Sequence, residues 1–284
     1  MTATPCPLCP RRCPDRSKGL CGEMDFTHAH VAKTMLHRWE EPCISGEKGT
    51  GAVFFAGCNL RCMFCQNHAI SQARPMPGEE VDATRLAEIF WDLMGQGAEN
   101  ISLISPSHVL PVAREAMRLA KVKGFPLQFV WNSNGYETAR ALQSLQGLVD
   151  FYLPDLKYAD VAMAQAYSGA PAYFECTTQA IEEMRRQGEA CGVQLLIRHL
   201  VLPGGRKDSM RVLDWIAEHA PGAKISLMAQ YTPMHRAAEG EFPALRRRLT
   251  GFEYDSVAEY AQSLGLEGYF QAREAATAGY TPEF

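Results

Sequence analysis

From residue 50 onward, short apolar runs alternate with longer amphipathic stretches. The runs predict six strands, at 51–57, 101–104, 127–131, 149–153, 193–202 and 224–230. The first, third and fourth runs are almost continuously apolar, which is typical of parallel strands covered on both faces. Strand–helix alternation over this length favours βα units around a parallel sheet. Because six units fall short of the eight in a complete barrel, the sequence predicts an α/β fold, a partial, TIM-like (β/α)6 barrel.

The stretches between the runs have the apolar spacing of surface helices. The clearest begins after Asp82, a predicted N-cap. Its apolar residues follow i, i+3, i+4, i+7, i+8 spacing: Leu86, Ile89, Phe90, Leu93 and Met94. Such spacing gives a helix one face to bury against the sheet. Similar patterns predict helices at 109–123, 136–146, 173–188, 208–220 and 254–265.

Seven of the ten cysteines lie in two tight groups. One group is Cys6, Cys9, Cys13 and Cys21, and the other is Cys58, Cys62 and Cys65. Disulfide frameworks belong mostly to small secreted domains, whereas clustered cysteines in a cytosolic chain more often bind metal. A segment of about fifty residues has too little core to fold on burial alone. We therefore predict a cysteine-rich, metal-binding segment at 1–50, followed by the barrel at 51–284.

Charge and hydropathy exclude several classes of partner. The net charge is −4 at neutral pH, whereas a nucleic-acid-binding domain is usually basic. No apolar run approaches the ~20 residues that a membrane-spanning helix needs. The segment MTATPCPLCPRRCPDR has no apolar stretch of the kind found in secretory signals. We expect a cytoplasmic protein that binds neither nucleic acid nor membranes.

The second cysteine group directly follows the first predicted strand, in the segment GAVFFAGCNLRCMFCQN. In parallel α/β folds, loops after the carboxyl ends of strands build the site. Three thiolates cannot complete a four-iron cluster, for which four cysteines are the usual ligands. One iron is then left without a protein ligand and can bind the amine and carboxylate of a substrate. A reduced cluster of this kind can cleave a chelated sulfonium.

The segment Cys58–Asn67 resembles the signature of the radical S-adenosylmethionine (radical SAM) superfamily. Nearly the whole chain is similar to proteins like pyruvate formate-lyase activating enzyme. The similar blocks are EPCISGEKGTGAVFFAGCNLRCMFCQNHAIS, VWNSNGYE, DFYLPDLKY, LIRHLVLPGG and ISLMAQYTP. The resemblance implies a [4Fe-4S] cluster on Cys58, Cys62 and Cys65. It also implies reductive cleavage of S-adenosylmethionine (SAM) to a 5′-deoxyadenosyl radical.

The resemblance also implies residues that bind SAM. Phe64 precedes the last cysteine, where the superfamily's aromatic residue and its neighbourhood contact the adenine, and Asn67 ends the same block. Ser105 and Ser107 occupy the place of a Gly-Gly-Glu motif that holds the SAM amino group. This sequence lacks those glycines and that acid, so the hydroxyls or backbone carbonyls are left to accept from the ammonium. Asn132 would reach SAM from the third strand, and Gln230 follows the sixth.

Three charged residues complete this implied set. Asp155 and Lys157 match an Asp-x-Lys pair near SAM, in which the lysine would neutralise the SAM carboxylate and the aspartate would hold the lysine. Arg198 matches an arginine of the fifth strand. From residue types alone, Asp155 and Lys157 fit a solvated loop pair equally well, and Arg198 fits a surface strand residue. Charged residues in apolar runs are nevertheless uncommon without a partner.

The amino-terminal cysteines predict a second metal site. Spacings of two and three residues fit tetrahedral zinc or an iron–sulfur cluster, and spacing alone does not separate them. Four protein ligands make such a site closed, hence structural or electron-transferring. The arrangement resembles the amino-terminal segment of one uncharacterised subgroup of the activating-enzyme-like proteins. Unliganded thiols are the third alternative.

Three functions are consistent with these features. The first is a radical SAM oxidoreductase that takes hydrogen from a substrate, with a flavodoxin- or ferredoxin-like electron donor. If the resemblance extends to the substrate, it implies a glycine Cα of a partner protein. The second is radical SAM modification of another peptide or of a small metabolite. The third is a non-catalytic iron–sulfur or zinc protein, an electron carrier or sensor, which would leave the SAM-like blocks without a purpose.

Overall fold

A computed structural model describes residues 5–22 and 25–271. Its strands are β1 (Ala29–His37), β2 (Thr50–Phe55), β3 (Glu79–Val81), β4 (Asn100–Ile104), β5 (Gln128–Ser133), β6 (Phe151–Pro154), β7 (Gln194–Leu200), β8 (Lys224–Met228) and β9 (Gly268–Phe270). Its α-helices are α1 (Pro42–Ser45), α2 (His68–Ser71), α3 (Ala83–Gly95), α4 (Leu110–Val122), α5 (Ala139–Gln143), α6 (Val161–Ser168), α7 (Tyr173–Cys191), α8 (Arg206–His219), α9 (Arg236–Glu239) and α10 (Gly251–Ser263).

The strands form one curved sheet in the order β3-β1-β2-β4-β5-β6-β7-β8-β9. The six strands predicted from the apolar runs, β2 and β4 to β8, pair in parallel, and β9 adds a further parallel edge. At the other edge, β1 and β3 pair antiparallel. The two edges, β3 and β9, do not pair with each other, so the barrel is open. The predicted α/β partial barrel is confirmed.

The elements that the apolar pattern did not predict are short or of mixed burial. Strands β3 and β9 have three residues each, and β1 has a mixed burial pattern with a register shift between Val31 and Lys33. Strand β1 falls within the predicted segment 1–50 yet pairs with β2 from His37 to Val31. The division of the chain at residue 50 stays a prediction.

Helix α3 shows how the sequence builds the outer layer. The Asp82 side chain caps it by accepting a hydrogen bond from the Arg85 backbone N–H at 2.8 Å. Its buried face is Leu86, Ala87, Ile89, Phe90 and Leu93. This face packs in the same core as the outward residues Phe129 and Trp131 of β5. None of the helices in the described ranges has the length and apolarity to cross a bilayer.

The inward faces of the strands are apolar at one end of the barrel and polar at the other. Ile44 of α1 packs against Val130, Phe151, Leu153 and Leu196, and so covers one end of the interior. Side chains alternate between faces along a strand, so Asn132, two positions after Val130, also faces inward. The polar positions lie toward the carboxyl ends of the strands, where barrel folds place their sites.

Candidate functional site

The cysteine loop (residues 56–67) leaves β2 at the carboxyl edge of the sheet and is fastened to the end of α6. The backbone N–H of Arg61 donates to the Ser168 carbonyl at 3.0 Å, and that of Met63 donates to the Tyr167 carbonyl at 2.8 Å. The Arg61 guanidinium donates to the carbonyls of Cys58 and Leu60, both at 2.9 Å. These contacts hold the loop in one shape on the barrel rim.

Each thiol of this loop has a polar neighbour from another part of the fold. Ser168 Oγ donates to Cys62 Sγ at 2.9 Å, Asn134 Nδ2 donates to Cys58 Sγ at 3.5 Å, and Ser71 Oγ lies 3.3 Å from Cys65 Sγ. Burial raises the pKa of Cys65 to about 12 and raises that of Cys58. The thiolate form therefore needs a compensating positive charge, which a metal site supplies.

One open cavity brings the loop together with the strand ends. It encloses about 1290 Å³, including solvent at its mouth. Eleven predicted site residues line it: Cys58, Cys62, Phe64, Cys65, Asn67, Ser105, Asn132, Asp155, Lys157, Arg198 and Gln230. Ser107 is not among them, because it is buried in a short 3₁₀ turn after β4. Ser105, which begins that turn, has left-handed backbone dihedrals (φ 54°), uncommon for a residue other than glycine.

Arg198 is the centre of a buried charge network in the cavity wall. Its Nε donates to Asp155 Oδ1 at 2.9 Å, and its Nη1 donates to Glu40 Oε2 at 3.2 Å. Its Nη2 donates to Asn132 Oδ1 at 2.5 Å. Lys157 Nζ donates to Asp155 Oδ2, also at 2.5 Å. The side chains of Asp155, Lys157 and Arg198 are 14–18% exposed, so they form neither a solvated loop pair nor a surface strand position.

The network sets different proton affinities for its two carboxylates. Burial alone raises the pKa of Asp155, but the charges of Arg198 and Lys157 outweigh it and leave that pKa below its usual value. Burial raises the pKa of Glu40 to about 7, although Arg198 opposes the shift. Burial lowers the pKa of Lys157 and of Arg198, but the negative charge of Asp155 outweighs it and raises both. Two cations therefore face one firmly ionised carboxylate and one carboxyl that titrates near neutral pH.

Glu40 is a cavity residue that the sequence analysis did not predict. It lies between β1 and α1, and its contact with Arg198 joins residues 158 positions apart. The Asn132 side chain also donates to its carboxylate, at 3.1 Å. The one available signal was the acid pair Glu40-Glu41 directly before Pro42. That position fits a solvated strand end equally well.

Aromatic and amide residues form the rest of the wall. Phe64 is 8% exposed and meets Tyr231 edge-to-face, with ring centroids 5.8 Å apart. Tyr231 is fixed by its hydroxyl, which donates to the Leu245 carbonyl at 2.6 Å. Gln230 accepts a hydrogen bond from Gln271 at 3.4 Å. These contacts hold two aromatic rings and an amide side chain in the cavity wall.

The amino-terminal cysteines surround a second, smaller cavity, which Cys6, Cys9, Cys13 and Cys21 all line. Burial raises the pKa of the Cys9 thiol to about 11, while hydrogen bonds with the Arg11 backbone and the Asn59 side chain lower it. The four predicted residues are thus brought together beside the cysteine loop.

The three cysteines of the loop have the chemistry of cluster ligands. Cysteine thiolates are the usual ligands of a [4Fe-4S] cluster, which takes four of them. Cys58, Cys62 and Cys65 all line the cavity, and no other cysteine of the described residues does. They would hold three irons of a cluster and leave the fourth exchangeable.

Comparisons with known proteins identify the fold and the family. A protein of Methanocaldococcus jannaschii, itself uncharacterised, is 27% identical over 274 residues, covering 92% of this chain and 75% of the relative. A radical SAM methyltransferase from Sphaerobacter thermophilus has the same fold, with a TM-score of 0.55 at 13% identity over 81% of this chain and 70% of that one.

Two further solved structures match this chain with different TM-scores. Streptococcus suis SuiB, solved with bound SAM, gives a TM-score of 0.55 at 14% identity over 80% of this chain and 51% of its own. A domain of pyruvate formate-lyase-activating enzyme from Bacteroides vulgatus gives only 0.46 at 13% identity, over 62% of this chain and 100% of that domain. The model of the radical SAM superfamily matches residues 52–216, more than half of the chain. The chain belongs to the radical SAM superfamily.

Proposed function

We propose that this protein reductively cleaves SAM at a [4Fe-4S] cluster held by Cys58, Cys62 and Cys65, and that the resulting 5′-deoxyadenosyl radical takes hydrogen from a substrate. The observation that carries the proposal is a single cavity. It is lined both by the three thiols and by the buried charge network of Arg198 and Lys157. A carrier or sensor has no need of such a network beside its cluster.

The charges of the cavity match those of SAM, which carries a carboxylate, an ammonium and a sulfonium. Lys157 and Arg198 are placed to attract the carboxylate. Asp155 holds both cations in position, at 2.5 and 2.9 Å. Glu40 supplies the acid that the segment around Ser105 lacks, and its ionised form would accept from the ammonium. When bound, the cluster supplies the one electron that breaks the carbon–sulfur bond and releases methionine.

The remaining wall would position the nucleoside. Phe64 and Asn67 belong to the cysteine loop and would contact the adenine. Ser105, Asn132 and Gln230 end three different strands, and each offers polar atoms toward the cavity. We propose no SAM contact for Ser107, because it lies away from the cavity wall.

For the substrate, we propose a glycine Cα of a partner polypeptide. The 5′-deoxyadenosyl radical would take one hydrogen atom, giving 5′-deoxyadenosine and a glycyl radical. The mouth of the cavity supports a large substrate, because Trp39 lines it while 63% exposed. Aromatic residues are enriched where proteins bind one another. Another peptide or a small metabolite is the competing substrate.

The proposed chemistry requires an electron donor. We propose a flavodoxin- or ferredoxin-like protein, acting in the cytoplasm, where thiols stay reduced. Nucleic acid and membranes have no part in the proposed reaction.

The cleavage reaction is tested anaerobically. Wild type, Cys62→Ala and Cys191→Ala are reconstituted with iron and sulfide, reduced with dithionite and given SAM, and 5′-deoxyadenosine is quantified. Cys191 is an exposed cysteine that serves as the matched control. We expect product from wild type and Cys191→Ala and none above background from Cys62→Ala. Wild type that holds a full cluster yet forms no product would overturn the proposal.

The identity of the substrate is tested by following deuterium from glycine into 5′-deoxyadenosine. Extract of the source organism grown on glycine deuterated at Cα is divided by size, and each fraction is given to the reduced enzyme with unlabelled SAM. Deuterium in 5′-deoxyadenosine from the protein fraction supports a glycine of a polypeptide. Deuterium from the small-molecule fraction alone, or from neither fraction, overturns that substrate while leaving SAM cleavage standing.

A further inference from the structure

We propose that Cys6, Cys9, Cys13 and Cys21 hold a second [4Fe-4S] cluster, closed by four protein ligands and seated directly against the cysteine loop of the barrel. All four thiols line one cavity, which encloses about 320 Å³ including solvent at its mouth. This assignment goes beyond SAM cleavage, which needs only the cluster on Cys58, Cys62 and Cys65.

The cysteine lobe (residues 5–22) is shaped by turns rather than by a core. The Cys6 backbone N–H donates to the Cys13 carbonyl at 2.9 Å, and the Arg12 N–H donates to the Cys9 carbonyl at 3.2 Å. Leu8 and Cys9 are the buried hydrophobic residues of this lobe. So little burial cannot by itself repay the entropy of ordering the segment. A bound metal centre supplies the missing free energy.

Four thiols around one cavity fit either structural zinc, with every sulfur ~2.3 Å from one point, or a cluster in which each cysteine binds a different iron. We assign the cluster because the cavity lies directly against the cysteine loop, where a second cluster would be placed to exchange electrons with the first.

Guanidinium groups offset the negative charge of four thiolates. Arg16 Nη1 lies 3.6 Å from Cys6 Sγ. The same guanidinium is fixed by the carbonyls of His108 and Asp25, at 2.5 and 2.6 Å, and stacks on Phe26. Arg11 also lines the cavity. Such fixed donors near sulfur are a usual means of setting the potential of a cluster.

The two cysteine sites meet at Asn59. Its side chain contacts the Cys9 thiol of the lobe, and its Oδ1 is 3.9 Å from the Cys58 thiol of the loop. Arg11 of the lobe donates to the Asn59 carbonyl at 2.6 Å. One buried residue therefore touches a ligand of each site.

A second contact lies at Gly57, directly before Cys58. Its φ of 83° is in the left-handed region, and a side chain there would collide with the Cys21 carbonyl oxygen. Arg61 of the loop also donates to the Leu20 carbonyl of the lobe. The lobe is thus seated on the loop at the point where the two clusters would be adjacent, and close spacing favours electron exchange between them.

The test removes the loop cluster first. In the loop variant (Cys58→Ala, Cys62→Ala, Cys65→Ala), anaerobic reconstitution should leave about four iron and four sulfide per chain, against about eight of each in wild type. The variant in which all seven cysteines are Ala is the control and should hold none. Iron and sulfide are assayed chemically, zinc by plasma mass spectrometry, and the reduced cluster by electron paramagnetic resonance (EPR).

Each outcome decides the proposal. About four iron with an EPR signal of a reduced cluster establishes the second site. One zinc per chain, or no metal beyond the seven-cysteine control, overturns it. Because the loop variant cannot cleave SAM, this result is independent of the proposed function. The lobe variant (Cys6→Ala, Cys9→Ala, Cys13→Ala, Cys21→Ala) completes the pair and should keep the loop cluster alone.

Discussion

The cysteine loop and the cysteine lobe contact each other but are held in shape by different means. The loop follows a buried strand, is tied to α6 by backbone hydrogen bonds and has a polar neighbour for every thiol. The lobe consists of turns with two buried hydrophobic residues. The barrel therefore preforms the loop, whereas we expect the lobe to depend on its metal centre.

The number of cysteines separates the two sites further. Three cysteines would leave one iron of a cluster exchangeable, beside a cavity that holds both carboxylates and cations. Four cysteines would leave no such position, and no carboxylate of the described residues lines the cavity of the lobe. A site that reacts with a substrate requires a cluster with an open coordination position and nearby side chains that bind the substrate. A structural or electron-transferring site requires neither.

The largest effect expected on the barrel side is that of Arg198→Met. The substitution leaves the buried Asp155 and Glu40 carboxylates short of a cation, and breaking such a pair costs about 3–5 kcal/mol of unfolding free energy. Urea denaturation of the metal-free protein measures it. Arg85→Met, at a surface ion pair with Glu79, should cost far less, because solvent screens that pair. Equal costs for the two variants would show that the cavity is not preformed by its charges.

A pH dependence should come from His199. Burial lowers the pKa of this histidine to about 4, and its Nδ1 lies 2.7 Å from the Leu156 carbonyl. An unfolded histidine titrates near 6.5, so the unfolded state binds the proton more tightly. Stability should thus be lost as the pH falls from about 6.5 to 4, by about 3 kcal/mol.

The matched variants for this effect are His199→Asn and the exposed His219→Asn. We expect a flatter pH profile of unfolding free energy between pH 4 and 6.5 for His199→Asn than for wild type or for His219→Asn. Identical slopes in all three proteins would mean that folding does not lower the pKa of His199.

Asn59→Ala tests the contact between the regions. It removes a hydrogen bond to the Tyr136 carbonyl at 2.7 Å and one from Asn134 at 2.8 Å, and the groups left unpaired cost about 2 kcal/mol. In reconstituted protein it should also change the EPR signals of both clusters. The exposed Gln262→Ala is the control. A change confined to the loop signal would show that Asn59 does not join the two sites.

The smallest effect expected is on proteolysis of the lobe. Binding of a metal centre protects the folded lobe by mass action, and a tenfold slower cleavage corresponds to about 1.4 kcal/mol. Trypsin should cut metal-free protein after Arg11, Arg12 or Lys18 at least about tenfold faster than reconstituted protein. Cleavage elsewhere in the barrel should not change as much. Equal protection with and without metal would show that the lobe is as preformed as the loop.

The sequence predicted the barrel well and its edges poorly. Continuous apolar runs identified the six central parallel strands because those strands are buried on both faces. Strands β3 and β9 have three residues each, too few for any period to be detected. Strand β1 is mixed in burial because it lies near the edge of the sheet.

Site residues were predictable from the sequence where they lie close together along the chain. The cysteine loop is one short motif, so its residues could be named from spacing. The roles of Asp155 and Arg198 stayed ambiguous, because their burial depends on a cavity that no local pattern describes. Glu40 was missed because its partner lies 158 positions away. Ser107 was placed on the cavity by resemblance, but the turn that begins at Ser105 carries it away from the wall.

The most direct test of the difference between the two sites is the response of each cluster to SAM. The loop variant and the lobe variant are reconstituted, reduced and examined by EPR before and after SAM is added. We predict that SAM changes the signal of the lobe variant, whose cluster sits on Cys58, Cys62 and Cys65, and leaves that of the loop variant unchanged. A loop cluster that ignores SAM, or a lobe cluster that responds to it, would contradict the assignment of an open site to the loop and a closed one to the lobe.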